Sequence, residues 1–281
     1  MNAPHRWSSL YRGYDVTLRH NQLILVATAV GMGTGFLAAE PGLTTRLVAA
    51  AVTGAVAFMA GALAKELNPD GAWGALGATV LAVLAVPIAG LPTLPSAVAL
   101  FWLLGNVRFL NRTSGLPPKL TDAFALLALS AWLGWQVTPF FGILMGITLL
   151  LDNWLPDGRR IYAMIGMMGF LVSAVWLAFA AHVAGPLSFW MVAVLLTIAA
   201  GSIPMILSTY RVQAVGDVTS LRLSPARVQA GQVLALGSGL FLATWLGEPG
   251  IVLLLGLWAA LLATLASYLF AGRWRPSAGP R

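Results

Sequence analysis

The sequence predicts an all-α protein, a polytopic integral membrane helix bundle of about nine or ten transmembrane helices, and three observations carry that expectation. Hydrophobic residues make up 59% of the 281 positions and charged residues only 9%, with a mean hydropathy of +0.84. That is more apolar surface than a soluble core of this length can bury, so the bilayer must act as solvent. The apolar residues also fall into runs of membrane-crossing size, at 22–39, 46–65, 73–91, 96–110, 122–137, 139–151, 161–183, 188–207, 229–246 and 250–270. Finally, the basic residues collect in every second break between those runs, the pattern that fixes membrane orientation.

Taken in order, residues 1–21 carry Arg6, Arg12 and Arg19 ahead of the first run and read as a cytoplasmic tail. Trp7, Leu10, Tyr11 and Tyr14 recur there at roughly helical spacing, which suits an amphipathic surface segment. The ten runs within 22–270 form one bundle domain, and 271–281 is a second cytoplasmic tail. The fourth and sixth runs fall below the roughly 17–25 residues that usually span a bilayer, so short, tilted or re-entrant helices are expected there. Odd breaks are tight and almost chargeless, as in Glu40-Pro41-Gly42, Gly185-Pro186 and Glu248-Pro249-Gly250. Even breaks hold the cations: of the 16 Lys and Arg residues, all but Arg46 lie in them or in the two tails. Both termini and the even loops are therefore expected in the cytoplasm, in the plasma membrane of a prokaryote. Short odd loops make neighbouring helices antiparallel hairpins.

Composition also excludes chemistry. Without cysteine there is no disulfide, thiolate metal site or thiol nucleophile. His5, His20 and His182 have no ligand spacing. The formal charge of +7 sits in short loops, where anionic membrane lipid explains it without nucleic acid.

Two polar stretches stand out. Residues 149–160 run from an apolar helix end through Asp152 and the Pro156-Asp157-Gly158 turn to Arg159 and Arg160. Residues 63–71 repeat the pattern with Lys65, Glu66, Asn68 and the Pro69-Asp70-Gly71 turn. At one level of a bundle, two such turns define a single polar mouth. Carboxylates at membrane depth are costly and mark candidate sites. Glu66 and Asp70 are four residues apart, a spacing at which two carboxylates can share a Mg²⁺, whereas Asp152 and Asp157 are one residue further apart. A proline interrupts each pair, and Pro-Asp-Gly is also ordinary turn chemistry with the earlier acid facing water. Lys65, Arg159 and Arg160 could hold a diphosphate, helped by free N–H groups near Gly158, or could equally meet lipid head groups. The 4–5 loop adds Arg108, Arg112 and Lys119. The 8–9 loop, with Tyr210, Arg211, Asp217, Arg222 and Arg227, is long enough to cap the mouth and reads more simply as a solvated connector. Ser224-Pro225 opens the helix after it.

Acidic clusters in the 2–3 and 6–7 loops with a basic Asn/Arg/Lys segment between helices 4 and 5 resemble the UbiA superfamily of intramembrane prenyltransferases. That resemblance implies that aspartate-rich motifs bind Mg²⁺ and the diphosphate of an isoprenoid donor, whose allylic carbocation alkylates a lipophilic acceptor. It places Glu66, Asn68 and Asp70 in the first motif, Asp152 and Asp157 in the second, and Arg108 and Arg112 in the basic segment. Catalytic and metal roles then fall to Glu66, Asp70, Asp152 and Asp157, and diphosphate contacts to Lys65, Asn68, Arg108, Arg112, Arg159 and Arg160. The first motif here has one Glu, one Asp and an intervening proline, and the second has four residues between its aspartates where the family has three. A diverged or inactive relative fits those departures. The rival expectation is a permease for a neutral or apolar solute, or a non-enzymatic membrane subunit, since no charge falls at the centre of any run. Glycine- and alanine-rich faces at 31–35 and 74–78 suit close helix packing in either case.

Overall fold

The computed structural model describes residues 8–11, 13, 15–179 and 185–271. Trp7, Tyr14, His5, His182 and the basic residues Arg6, Arg12, Arg273, Arg275 and Arg281 lie outside the described residues. The described chain is all-α: α1 Arg19–Ala38, α2 Leu43–Leu67, α3 Ala72–Ala89, α4 Leu94–Asn111, α5 Leu120–Gln136, α6 Phe140–Trp154, α7 Arg160–Phe179, α8 Phe189–Ser208, α9 Pro225–Leu246, α10 Glu248–Leu253 and α11 Leu255–Ala271. A 3₁₀ turn, Thr209–Arg211, follows α8.

Local sequence explains the breaks. Thr93 and Ser96 form a reciprocal cap at the start of α4, with Pro95 in the first turn. Ser188 caps α8 and Pro225 opens α9. Gly90 (φ 86°) and Gly247 (φ 70°) stop α3 and α9 in backbone conformations that a Cβ disfavours. The tenth apolar run is two helices: it breaks at Leu254 (φ −106°, ψ 30°), six residues after Glu248-Pro249-Gly250 begins α10. α6 has 15 residues, short as expected.

Among the described residues four helices have the length and apolarity to cross a membrane: Arg19–Ala38, Leu43–Leu67, Arg160–Ala178 and Phe189–Arg211. Shorter apolar helices occupy Trp73–Ala89, Phe140–Trp154 and Leu255–Phe270. Their outward faces carry large apolar side chains such as Leu37, Ile88, Met164, Leu171 and Leu196, the surface expected where hydrocarbon is the solvent.

α2 and α4 are the inner helices. α1, α3 and α11 pack around α2; α5 and α6 pack on the far side of α4 and α7 packs against α5 and α6; α9 lies against α4, and α8 is outermost between α9 and α11. Leu63, Leu67, Trp102, Leu103, Phe109 and Leu149 are buried where these helices meet. The 31–35 face packs as expected: a Cβ on Gly35 would meet the Ala49 carbonyl oxygen at 2.6 Å, and one on Gly31 would meet Val83 at 2.9 Å. A second small-residue seam joins α6 and α7, where Gly142 lies against the Gly169 carbonyl oxygen and Gly146 against that of Gly166. Buried hydroxyls bond helix carbonyl groups: Thr79 and Ser130 bond their own helices, to Ala75 O at 3.1 Å and Leu126 O at 2.7 Å. Ser173 instead reaches Pro139 O at the start of α6 (2.6 Å), because the glycine seam brings that backbone close.

Candidate functional site: a charged mouth and a lateral groove

The ends of α2, α4, α6 and α8 and the starts of α3, α5, α7 and α9 are tied together at one end of the bundle. Arg108, in the last turn of α4, donates from Nε to Glu66 Oε1 at 2.9 Å. One turn on, Arg112 Nη2 donates to Asp152 Oδ1 at 3.1 Å and Oδ2 at 3.4 Å, and to the Asp157 carbonyl oxygen at 3.1 Å. Arg108 and Arg112 thus use i, i+4 spacing to contact one residue from each acidic turn. Glu66 and Asp152 have fully buried side chains. Asn111 Nδ2 adds a bond to Glu66 O at 2.9 Å.

Arg112 sits at the C-cap in the left-handed region (φ 52°, ψ 47°), where a glycine would be relaxed. Such a conformation is sparsely populated for a side chain and persists where surrounding contacts hold it. Asp157 (φ 60°) is also left-handed. Gly158 has no room for a side chain, since a Cβ there would lie 2.2 Å from Asp152 O.

Arg227 is the residue that sequence reasoning left in a solvated connector. It lies in the first turn of α9 with its side chain 4% exposed. Its Nη1 donates to Asp152 Oδ1 at 2.7 Å and Leu110 O at 3.1 Å. Nε and Nη2 both donate to Pro156 O. The signal was present: Arg227 shares a helical face with Gly231, Leu234 and Ser238, all buried. Asp122, also missed, is buried and accepts from Lys119 N at 3.0 Å and from Ser9 N and Oγ at 3.1 and 2.7 Å, which lays the N-terminal segment beside the mouth.

The remaining expected residues are placed differently. Asp70 is exposed and accepts from Gln213 N at 3.0 Å and Ala214 N at 2.8 Å, so it anchors the 8–9 loop. That loop also bonds the 4–5 loop through Asp217 N to Thr113 O (3.1 Å) and Val218 N to Ser114 O (3.0 Å). It therefore spans the mouth from the 2–3 turn to the 4–5 loop. Lys65 Nζ donates to Pro69 O at 3.0 Å. Arg159 and Arg160 are exposed, as is Asp157.

Among the described residues no three of His, Asp and Glu gather around a common point. Asp152 already faces two guanidinium groups and Glu66 one, and adding a divalent cation there meets like charge. Immediately around Glu66 and Asp152 three guanidinium groups meet these two buried carboxylates, a local excess of positive charge that favours an anion.

Beside the mouth, a groove of about 1410 Å³ opens between the 2–3 turn, α3, the end of α8 and α11. Asn68, Asp70, Arg211 and Gln213 line its polar end. Its floor is fixed by Gln232, which donates to Leu67 O at 2.6 Å and accepts from Thr209 at 3.0 Å. Comparisons with protein-family models, curated proteins and solved structures match nothing to this chain.

Proposed function

We propose that this chain is an integral membrane protein of nine or ten crossings, with both termini in the cytoplasm, that acts as a UbiA-like prenyltransferase or is a diverged relative of one. The observation that supports the reading most is the convergence of both acidic turns on a single basic helix end, through Arg108 with Glu66 and Arg112 with Asp152. In this reading an isoprenyl diphosphate places its head at the cationic mouth and its chain in the bundle. Arg108 and Arg112, 21% and 11% exposed, would hold the leaving diphosphate, where negative charge grows as the carbon–oxygen bond breaks. Lys65, Arg159 and Arg160 add to the positive field, and a lipophilic acceptor would arrive from the membrane.

A second reading, a carrier or non-enzymatic subunit, is favoured by the saturation of Asp152 with two guanidinium partners. In that case the acids are structural and no diphosphate is needed. Isoprenyl diphosphate binding to the purified protein separates the two. Binding in wild type that weakens about tenfold or more in Arg112→Lys supports the prenyltransferase reading, and Mg²⁺ added or chelated shows whether the metal belongs to it. A folded wild type that binds no isoprenyl diphosphate under either condition overturns it.

A further inference from the structure

We propose that the groove between α3, α8 and α11 is a binding site for a membrane lipid with an anionic head group. The inference rests on the chain being in a membrane, and is independent of prenyl transfer at the mouth.

The groove has a polar end and apolar walls. Leu81 on α3, Met205 on α8 and Ala263 on α11 line its length, which places chains rather than water there. Its volume of about 1410 Å³ exceeds the roughly 300–1,000 Å³ of a typical small-molecule pocket, so a chain-bearing ligand fits better than a compact polar one.

The polar end lies at head-group level. Trp73 (67% exposed) lies in the first turn of α3, Tyr210 (58%) in the 3₁₀ turn after α8 and Phe270 (62%) in the last turn of α11. Aromatic side chains cluster this way where a protein meets the membrane–water interface. The groove's polar end and the lipid head groups therefore share one depth.

Charge selects the head. Among the described residues that line the groove, Arg211 is the one Lys or Arg and Asp70 the one acid. Both Asp70 oxygens already accept backbone N–H groups from Gln213 and Ala214, so this carboxylate has hydrogen-bond partners within the protein. Arg211 lies over the Tyr210 ring at 4.9 Å and bonds the Tyr210 hydroxyl at 2.6 Å. It is held beside the groove with a planar guanidinium suited to a phosphate. Asn68 and Ser267 add neutral hydrogen-bonding groups at the same end. The Asp70 anchor holds the segment from Arg211 to Gln213 in place before any lipid arrives.

The experiment is native mass spectrometry of detergent-purified full-length protein with phosphatidylglycerol, phosphatidylcholine of the same chains, and inorganic phosphate as competitor. Wild type is expected to retain phosphatidylglycerol at least tenfold better than phosphatidylcholine. Arg211→Ala should abolish that preference while still retaining both lipids weakly. Met205→Trp and Ala263→Trp should reduce both lipids by filling the groove. Met164→Trp, on the exposed face of α7 (68% exposed), should change nothing. Equal retention of the two lipids by wild type, or a preference unaltered in Arg211→Ala, overturns the proposal. Displacement of the lipid by millimolar inorganic phosphate also overturns it, because the site would then take free anion. Running isoprenyl diphosphate binding on the same variants keeps the two claims apart: loss of lipid preference leaves that binding intact if both hold. Loss of isoprenyl diphosphate binding alone overturns only the prenyltransferase reading.

Discussion

Arg227 in the first turn of α9 and Asp152 at the end of α6 are joined at 2.7 Å in a site where neither side chain is more than 4% exposed. Seventy-five residues separate them, so this contact fixes how the last third of the chain closes on the middle. The guanidinium also bonds two carbonyl oxygens, Leu110 O and Pro156 O, and so satisfies the ends of α4 and α6 that the helices leave open.

Replacing one member of that pair should be severe. Arg227→Met leaves Asp152 buried with Arg112 alone and strips two carbonyl groups of their donors. A loss of about 3–5 kcal/mol is expected, as for breaking a buried ion pair from one side. Thermal and denaturant unfolding in detergent measure it. A change under about 1 kcal/mol would show that the pair is solvated.

The α6–α7 seam gives a second expectation. A Cβ on Gly142 would approach the Gly169 carbonyl oxygen to 2.6 Å and the Ser173 hydroxyl to 2.4 Å. Backbone cannot yield as a flexible side chain does, so Gly142→Ala should cost about 1–3 kcal/mol. Gly33→Ala, at an α1 position with nothing within 4 Å, is the control and should be neutral or slightly stabilising.

Asp70 should act on a loop rather than on the fold. Asp70→Ala removes the acceptor of Gln213 N and Ala214 N, and amide exchange at those two positions should accelerate about fivefold to tenfold, a modest value because the group is exposed. Global unfolding should move little. Unchanged exchange would mean that the loop is held by its other contacts, at Asp217 and Val218, alone.

Much of this was legible from composition and spacing. Apolar runs separated by Gly, Pro and Asp turns gave the all-α bundle, and the same turns marked Glu66 and Asp152 before their surroundings were visible. The basic segment at Arg108 and Arg112 was legible as well, because charge is rare in this chain. Partner choice was not legible. Arg227 sits in a loop-like sequence that folds into the first turn of α9, and its role depends on α9 packing beside α4, a contact between positions 117 residues apart. Asp70 stood out in the sequence for its spacing from Glu66, but its bonds to the 8–9 loop were not legible: α2 ends at Leu67, ahead of Pro69, and Asp70 accepts from Ala214 N, 144 residues on. The groove was invisible for a similar reason, since its walls come from four separate segments. The break of the tenth run falls at Leu254, inside Leu253-Leu254-Leu255, and Gly256 just after it lies within α11, so no residue at the break itself announced it.

The central claim is that the two acidic turns meet the basic end of α4 in one mouth. It is tested most directly by a double-mutant cycle on Glu66 and Arg108, 42 residues apart in sequence. Glu66→Gln, Arg108→Gln and the double variant are unfolded in the same detergent. Residues in contact couple, so the double variant should be less destabilised than the sum of the singles by about 0.5–3 kcal/mol. Additivity within about 0.3 kcal/mol would contradict the contact, and with it the mouth.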